Sequence, residues 1–362
     1  MRVIITFLGL YPKLTEYQYQ NKVYSGEVFA EALCQFCQFD RMLVCVTSEA
    51  KINTWPILER RNDSRIEYLE IPNGETTAQM WETFTKIVQH IQIGDELIFD
   101  ITHGLRSLPF LVFLFAAYLR SAKQADIQFV YYGAYELGKG KPAPVIDLTE
   151  FVGMLDWLTA TNTFLQSGNS QALAQLLQAH KPLGKNLKAR QQQQDLQRVA
   201  NAISKISLAL QTNRPIEVME AATDLEETLQ VSNNSITQWA KPFSLLQERI
   251  LTEYGQFALA KPESNSRIRA RLDKEFEMIT WYMEHQHLVQ AATLIHEWIN
   301  SALESNYFNR QQLLYIKEEA RKLRNDMAHA GKDIARRQEA TTIQTQMQKV
   351  YQDLKQLYGA ES

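Results

Sequence analysis

Residues 96–113 read ELIFDITHGLRSLPFLVF, and the change of character inside this stretch decides how the first half of the chain folds. Glu96 to Ile101 is a run in which Leu97 to Ile101 are β-forming apolar residues interrupted only by Asp100, the pattern of a strand buried on both faces. Thr102, His103 and Gly104 form a turn, and a helix begins within Arg106 to Pro109. A Gly-containing loop between a strand's carboxyl end and a helix N-terminus offers backbone N–H groups and a positive dipole end to an anion. Thr102, His103, Arg106 and Ser107 add side-chain donors at the same place. The plainer reading is a polar turn that caps strand and helix, and it uses the same residue types.

Outward from this stretch, short β-rich runs alternate with helical patterns through the first 150 residues, as in a parallel sheet with crossover helices. Strands are expected at Arg2 to Leu8, Met42 to Val46, Ile66 to Ile71, Glu96 to Ile101 and Ile127 to Tyr132, with helices near 26–38, 75–91 and 105–122. The pattern describes a Rossmann-like, doubly wound sheet, which binds ligands beyond the carboxyl ends of its strands. The loop after the first strand brings Gly9, Tyr11 and Lys13 to that same edge, and two such loops favour a ligand site over two coincidental caps. ELGKGKPAP (136–144) reads as a turn, with VIDL after it as a short returning strand.

From about Glu150 the β-rich runs stop and helical periodicity takes over. Breaks are expected at QSGNS (166–170), HKPLGKN (180–186), QTNRP (211–215), VSNNS (231–235) and KPESNS (261–266). The fold class is therefore α/β plus all-α: an α/β domain over 1–150, a helical connector over 151–265 and a second helical domain over 266–362.

The late helix holds RKLRNDMAHAG (321–331), with Gly331 as a plausible stop. Asn325 and His329 lie four residues apart on one face, and the long side chain of Arg324 can reach the same place. Three polar groups can thus meet at one anion. Six cations between Arg321 and Arg337, against Asp326 and Asp333, give this stretch a net charge of +4. A surface helix with solvated charges is the alternative.

Composition sets the outer bounds. A chain of 362 residues, 45% hydrophobic and 22% charged with net charge -3, is too apolar for disorder and too nearly neutral to announce a nucleic-acid binder. Three cysteines and no signal peptide point to a reducing cytoplasm. Cys34 and Cys37 form a CxxC inside an apolar helical stretch without a second pair, so a packed helix face is expected rather than a metal site. His285, His287 and His296 lie on or between helical stretches without ligand spacing, and no metal is expected. LPFLVFLFAAYL (108–119) falls well short of the ~20 residues of a spanning helix, so it reads as a helix buried in a domain and no membrane contact is expected. No P-loop, GxGxxG or GxSxG occurs, which removes the usual signatures of ATP hydrolysis, dinucleotide redox chemistry and α/β-hydrolases.

Taken together, the two stretches resemble a known family. DITHGLRSLP is similar to the DxTHG signature of CRISPR-associated proteins whose N-terminal sheet is a CARF domain, and RNDMAH fits the R-x4-H motif of HEPN ribonucleases. TFLGLYP and TEYQYQNKVYSGEVFAEAL also resemble this family's opening, and the order of parts is the same. The resemblance implies a homodimer or higher homo-oligomer. In it a cyclic oligoadenylate, tetra-adenylate being the favoured ring, would bind between two CARF domains as allosteric activator. Paired HEPN domains would then cleave single-stranded RNA in type III CRISPR defence, with no cofactor required. By motif match Arg324, Asn325 and His329 would be the nuclease residues, and Gly9, Tyr11, Thr102, His103, Gly104, Arg106 and Ser107 would face the activator. A second reading is a non-catalytic cyclic-nucleotide sensor whose helical half engages a protein or nucleic-acid partner.

Overall fold

The apolar run at the start of the chain, interrupted only by Thr6 between Val3 and Leu8, has a direct cause: both of its faces are covered. In the computed structural model, which describes residues 1–103, 108–179, 187–305, 307–329, 332, 334 and 337–361, the run is β1 (Arg2–Phe7). Val3, Ile5 and Phe7 enter one apolar core, and Ile4 and the following Leu8 enter the other. Successive side chains of a strand alternate between faces, so a strand covered on both sides is apolar throughout.

After β1 come β2 (Thr15–Tyr19), β3 (Lys22–Gly26), α1 (Phe29–Phe36), β4 (Arg41–Val46), α2 (Ser48–Asn53), α3 (Trp55–Glu59), β5 (Ile66–Glu70) and α4 (Thr77–His90). They are followed by β6 (Glu96–Asp100), α5 (Leu108–Lys123), β7 (Asp126–Gly133) and β8 (Ala143–Asp147). Among the described residues these strands form one sheet in the order β3-β2-β8-β7-β6-β1-β4-β5. The run β7-β6-β1-β4-β5 is parallel. The chain moves one way from β1 to β4 and β5, then returns to the other side of β1 for β6 and β7, so the switch point lies between β1 and β6.

The sheet is mixed, not parallel throughout as expected. β8 runs antiparallel to β7, β2 parallel to β8, and β3 antiparallel to β2. The β2–β3 hairpin lies where no strand was expected, and its pattern explains the omission: Tyr17 is buried while Glu16 and Gln18 are exposed. A half-buried edge strand alternates polar and apolar residues and never shows an apolar run. Gln20, with φ of 53°, supplies the left-handed turn. Because β2 begins at the same edge where β1 ends, residues 8–14 cross the carboxyl ends of β6 and β7 on the way to it. α5 is not wholly buried as expected: Val112, Phe115, Ala116 and Leu119 face the core, while Phe110, Leu114 and Tyr118 are exposed. No helix among the described residues is long and apolar enough to cross a membrane.

The chain divides into compact units at Met1–Asp156 and Trp157–Ser362, a boundary inside α6 (Thr149–Ser167). The second is helical, with α7 (Gln171–Ala179), α8 (Leu187–Gln211), α9 (Pro215–Trp239), α10 (Lys241–Ser244), α11 (Gln247–Gly255), α12 (Ile268–Glu284), α13 (Leu288–Ser305), α14 (Arg310–Ala328) and α15 (Ala340–Glu361). Its apolar core includes residues from Trp157 to Leu357. The expected break at 231–235 does not occur, since α9 runs through VSNNS. There Ser235 donates to the Asp195 carboxylate at 2.7 Å and Ser232 to the Asp195 carbonyl at 3.4 Å. The small hydroxyl residues therefore serve a helix seam rather than a turn. The expected break at 180–186 lies outside the described residues.

Candidate functional site

At the switch point a buried carboxylate organises the loop after β6. Asp100 has no exposed surface; its Oδ2 accepts from the Thr6 hydroxyl at 2.5 Å and its Oδ1 from the Thr102 N–H at 2.7 Å. Thr102 in turn accepts from the Gly133 N–H at 2.7 Å, which ties the ends of β1, β6 and β7 together. Gly133 cannot be larger, because a Cβ there would lie 2.8 Å from the Phe29 ring. Burial raises the pKa of Asp100, against the hydrogen bonds from Thr102 and Thr6 and the field of His103.

His103 projects from this frame beside the loop after β1. A Cβ on Gly9 would lie 3.6 Å from the His103 Cβ, so the two loops are in contact. The imidazole stacks on Tyr135 at 6.3 Å, and Lys13 sits 5.1 Å from the same ring. His103 Nε2 is buried without a hydrogen-bond partner among the described residues. Burial lowers the His103 pKa, opposed by Asp100 and Glu136. Gly9, Thr102, His103 and Lys13 are thus gathered at one edge, while Tyr11 stands 82% exposed. Gly104, Arg106 and Ser107 lie outside the described residues. Beside this edge a cleft of ≈ 390 Å³, lined by Leu8, Gly9, Thr47, Glu49, Asn73 and Glu75 among others, opens over β1, β4 and β5.

In the helical unit, Asn309 caps α14 by accepting from the N–H groups of Gln311 and Gln312. The helix ends at Ala328 and His329 is its C-cap, with its N–H donating to the Asn325 carbonyl at 3.0 Å. Asn325 and His329 therefore lie on successive turns. Arg324 is half-buried and His329 exposed. The Arg324 Nε is buried without a hydrogen-bond partner among the described residues. The surrounding charge is smaller than the count over 321–337 suggests: Arg321 pairs with Glu318 at 2.8 Å and Lys322 with Glu319 at 2.9 Å. Gly331, Asp333 and Arg336 lie outside the described residues.

Sequence reasoning passed over three participants. Thr6 and Tyr135 carry no motif, and only strand order brings them to the loop after β6. His296, grouped above with unremarkable helical histidines, comes within the electrostatic field of Arg324. His285 and His287 both stack on the Trp281 ring, at 4.3 and 5.4 Å, a packing role. Cys37 caps the end of α1, and burial pushes its thiol up to about 11, away from a reactive thiolate.

Fold and sites define a chain with a doubly wound α/β unit, two loops in contact at its switch point, and a helical unit with a basic helix end. A family model described as CRISPR-associated protein MJ1674, second domain, matches residues 153–264. CRISPR-associated protein MJ1674 of Methanocaldococcus jannaschii is 30% identical over 115 residues, which are 30% of this chain and 18% of that protein. The similarity thus spans less than a fifth of the relative's length. The family match takes in α7 to α11; the switch-point loops and α14 lie outside it.

Proposed function

We propose that this chain is a CRISPR-associated, metal-independent endoribonuclease that cleaves single-stranded RNA when a cyclic oligoadenylate binds its sheet unit. One observation carries the reading. A chain whose middle is similar to a CRISPR-associated protein has Asp100, Thr102 and His103 at a doubly wound switch point on one side, and Arg324 and His329 at one helix end on the other. The nitrogens of His103 and Arg324 that have no partner among the described residues support it, since most buried polar atoms are hydrogen-bonded and each exception calls for a reason.

In this chemistry a base takes the proton of the 2′-OH and the 2′-oxygen attacks phosphorus. The bond to the 5′-oxygen breaks, and an acid protonates that leaving oxygen. The products are a 2′,3′-cyclic phosphate and a 5′-hydroxyl. One chain has a single His329, so two α14 ends from two protomers would supply base and acid. Arg324 would stabilise the charged transition state, and Asn325 would orient the phosphate or its partner. A ring of identical nucleotides can satisfy two equivalent sheet units at once and shift the dimer toward its active arrangement.

The test is labelled single-stranded RNA incubated with the purified chain, with and without cyclic tri-, tetra- and hexa-adenylate. Cleavage with one ring size and none without it is expected. Binding of a ring without cleavage would overturn the ribonuclease reading in favour of a non-catalytic sensor.

A further inference from the structure

α14 packs along α13, and its side of the seam is the buried row Leu313, Ile316, Ala320 and Leu323. Lys317, Arg321 and Arg324 flank that row at steps of four and three residues, so they share one side of the helix. They are spread over about 10 Å at 1.5 Å per residue. On α13, His296 follows the buried Ala292 by four positions and precedes the buried Ile299 by three, which turns its imidazole toward the same side.

The groups differ in how they are satisfied. Arg321 is held by Glu318, whereas Lys317 and Arg324 make no ion pair among the described residues. Two nitrogens here, Arg324 Nε and His296 Nδ1, are buried without a hydrogen-bond partner among the described residues. Leaving such a group unsatisfied costs about 1–3 kcal/mol. Burial first, then the fields of Arg324, Lys317 and Arg321, lower the His296 pKa, and only Glu297 acts against them. Two cations without an ion pair among the described residues, Lys317 and Arg324, spread along a helix beside a neutral imidazole, suit an extended chain of phosphates better than a compact anion.

We propose that His296 and Lys317 form a phosphate subsite along the α13–α14 seam, next to Arg324, that holds the backbone phosphate of single-stranded RNA neighbouring the one that Arg324 faces. The assignment of RNA rests on the ribonuclease reading above. His296 is then a binding residue supplied by a second helix, and the substrate lies along α14 toward His329.

The experiment uses the full chain and a ten-nucleotide 2′-O-methyl RNA, which cannot undergo attack by its own 2′-oxygen. Histidine Cε1–H signals are followed by NMR, with His296 assigned through His296→Gln. Saturation with the oligonucleotide is expected to raise the His296 pKa, and inorganic phosphate is expected to do so only weakly. Anisotropy should show His296→Gln and Lys317→Ala each weakening binding about tenfold, the loss of one charge-assisted contact. In turnover, Lys317→Ala should raise KM with little change in kcat, because a neighbouring phosphate is held equally in ground and transition states. An unmoved His296 signal, unchanged affinity of Lys317→Ala, or no oligonucleotide binding by the wild type would each overturn the subsite. Should His296→Gln fail to fold, the wild-type titration and Lys317→Ala still decide. Oligonucleotide binding through His296 in a chain that cleaves no RNA with any ring would remove the ribonuclease reading and leave the subsite. RNA cleavage with an unmoved His296 would do the reverse.

Discussion

Glu275→Gln isolates a cost that the helical unit carries in its own core. Glu275 is 6% exposed, and burial pushes its carboxyl from 4.5 up to about 7, with Arg271 the one opposing influence. The Arg271 Nε lies 3.7 Å away, too far for a hydrogen bond. A carboxyl whose pKa is raised by folding adds nothing unfavourable below its unfolded value. It loses stability for the fold as pH rises through the folded value. The window here runs from about pH 4.5 to about 7. At 1.36 kcal/mol per pH unit the full cost above it is roughly 3 kcal/mol. Glutamine keeps the shape and removes the ionisation. The variant should therefore gain stability at pH 8 and little at pH 5, the two differences lying roughly 2–3 kcal/mol apart. Urea unfolding followed by helical circular dichroism at both pH values measures this directly. The Arg271 attraction acts only where Glu275 is ionised and is already contained in its raised value, so the gap between the two pH values carries the test. An equal effect at pH 5 and pH 8 would refute the reasoning.

Three further outcomes follow from the sites. His329→Ala should lower activated RNA cleavage by the ~10²–10⁴-fold of lost acid–base catalysis while leaving oligoadenylate binding intact by calorimetry. Mixing Arg324→Ala or His329→Ala chains into wild type should depress activity more than dilution does; a strictly proportional fall would mean that single chains hold complete sites. Thr102→Val leaves the buried Gly133 N–H without its acceptor. It should cost the sheet unit about 1–3 kcal/mol and raise the oligoadenylate concentration for half-maximal cleavage. Thermal unfolding beside an activation curve checks it.

What could be read from the sequence depended on how each element is buried. β1, β4 and β6 are covered on both faces and announce themselves as apolar runs. The β2–β3 hairpin shows the core little beyond Tyr17 and was missed. VSNNS has the composition of a turn, and only the pairing of Ser232 and Ser235 with Asp195 makes it helix. The candidate sites divide in the same way. Asp100, Thr102 and His103 lie in the one short stretch 100–103, so their loop was visible as a unit. Thr6 and Tyr135 join it through strand order, and His296 comes within the field of Arg324 through helix packing. No local pattern encodes either.

The two strands that end the sheet also bear on how copies of the chain can meet. β5 presents Glu67 and Glu70, each tied by a basic side chain of its own unit, Arg41 and Lys51. β3, at the other end, is five residues long, opens on the exposed Lys22 and closes on Gly26. Charged, short margins of this kind resist the approach of a foreign backbone, because an added strand would have to settle beside solvated ions. Lateral growth of the sheet from copy to copy is disfavoured at both margins, which leaves self-association through this unit to its helices and loops.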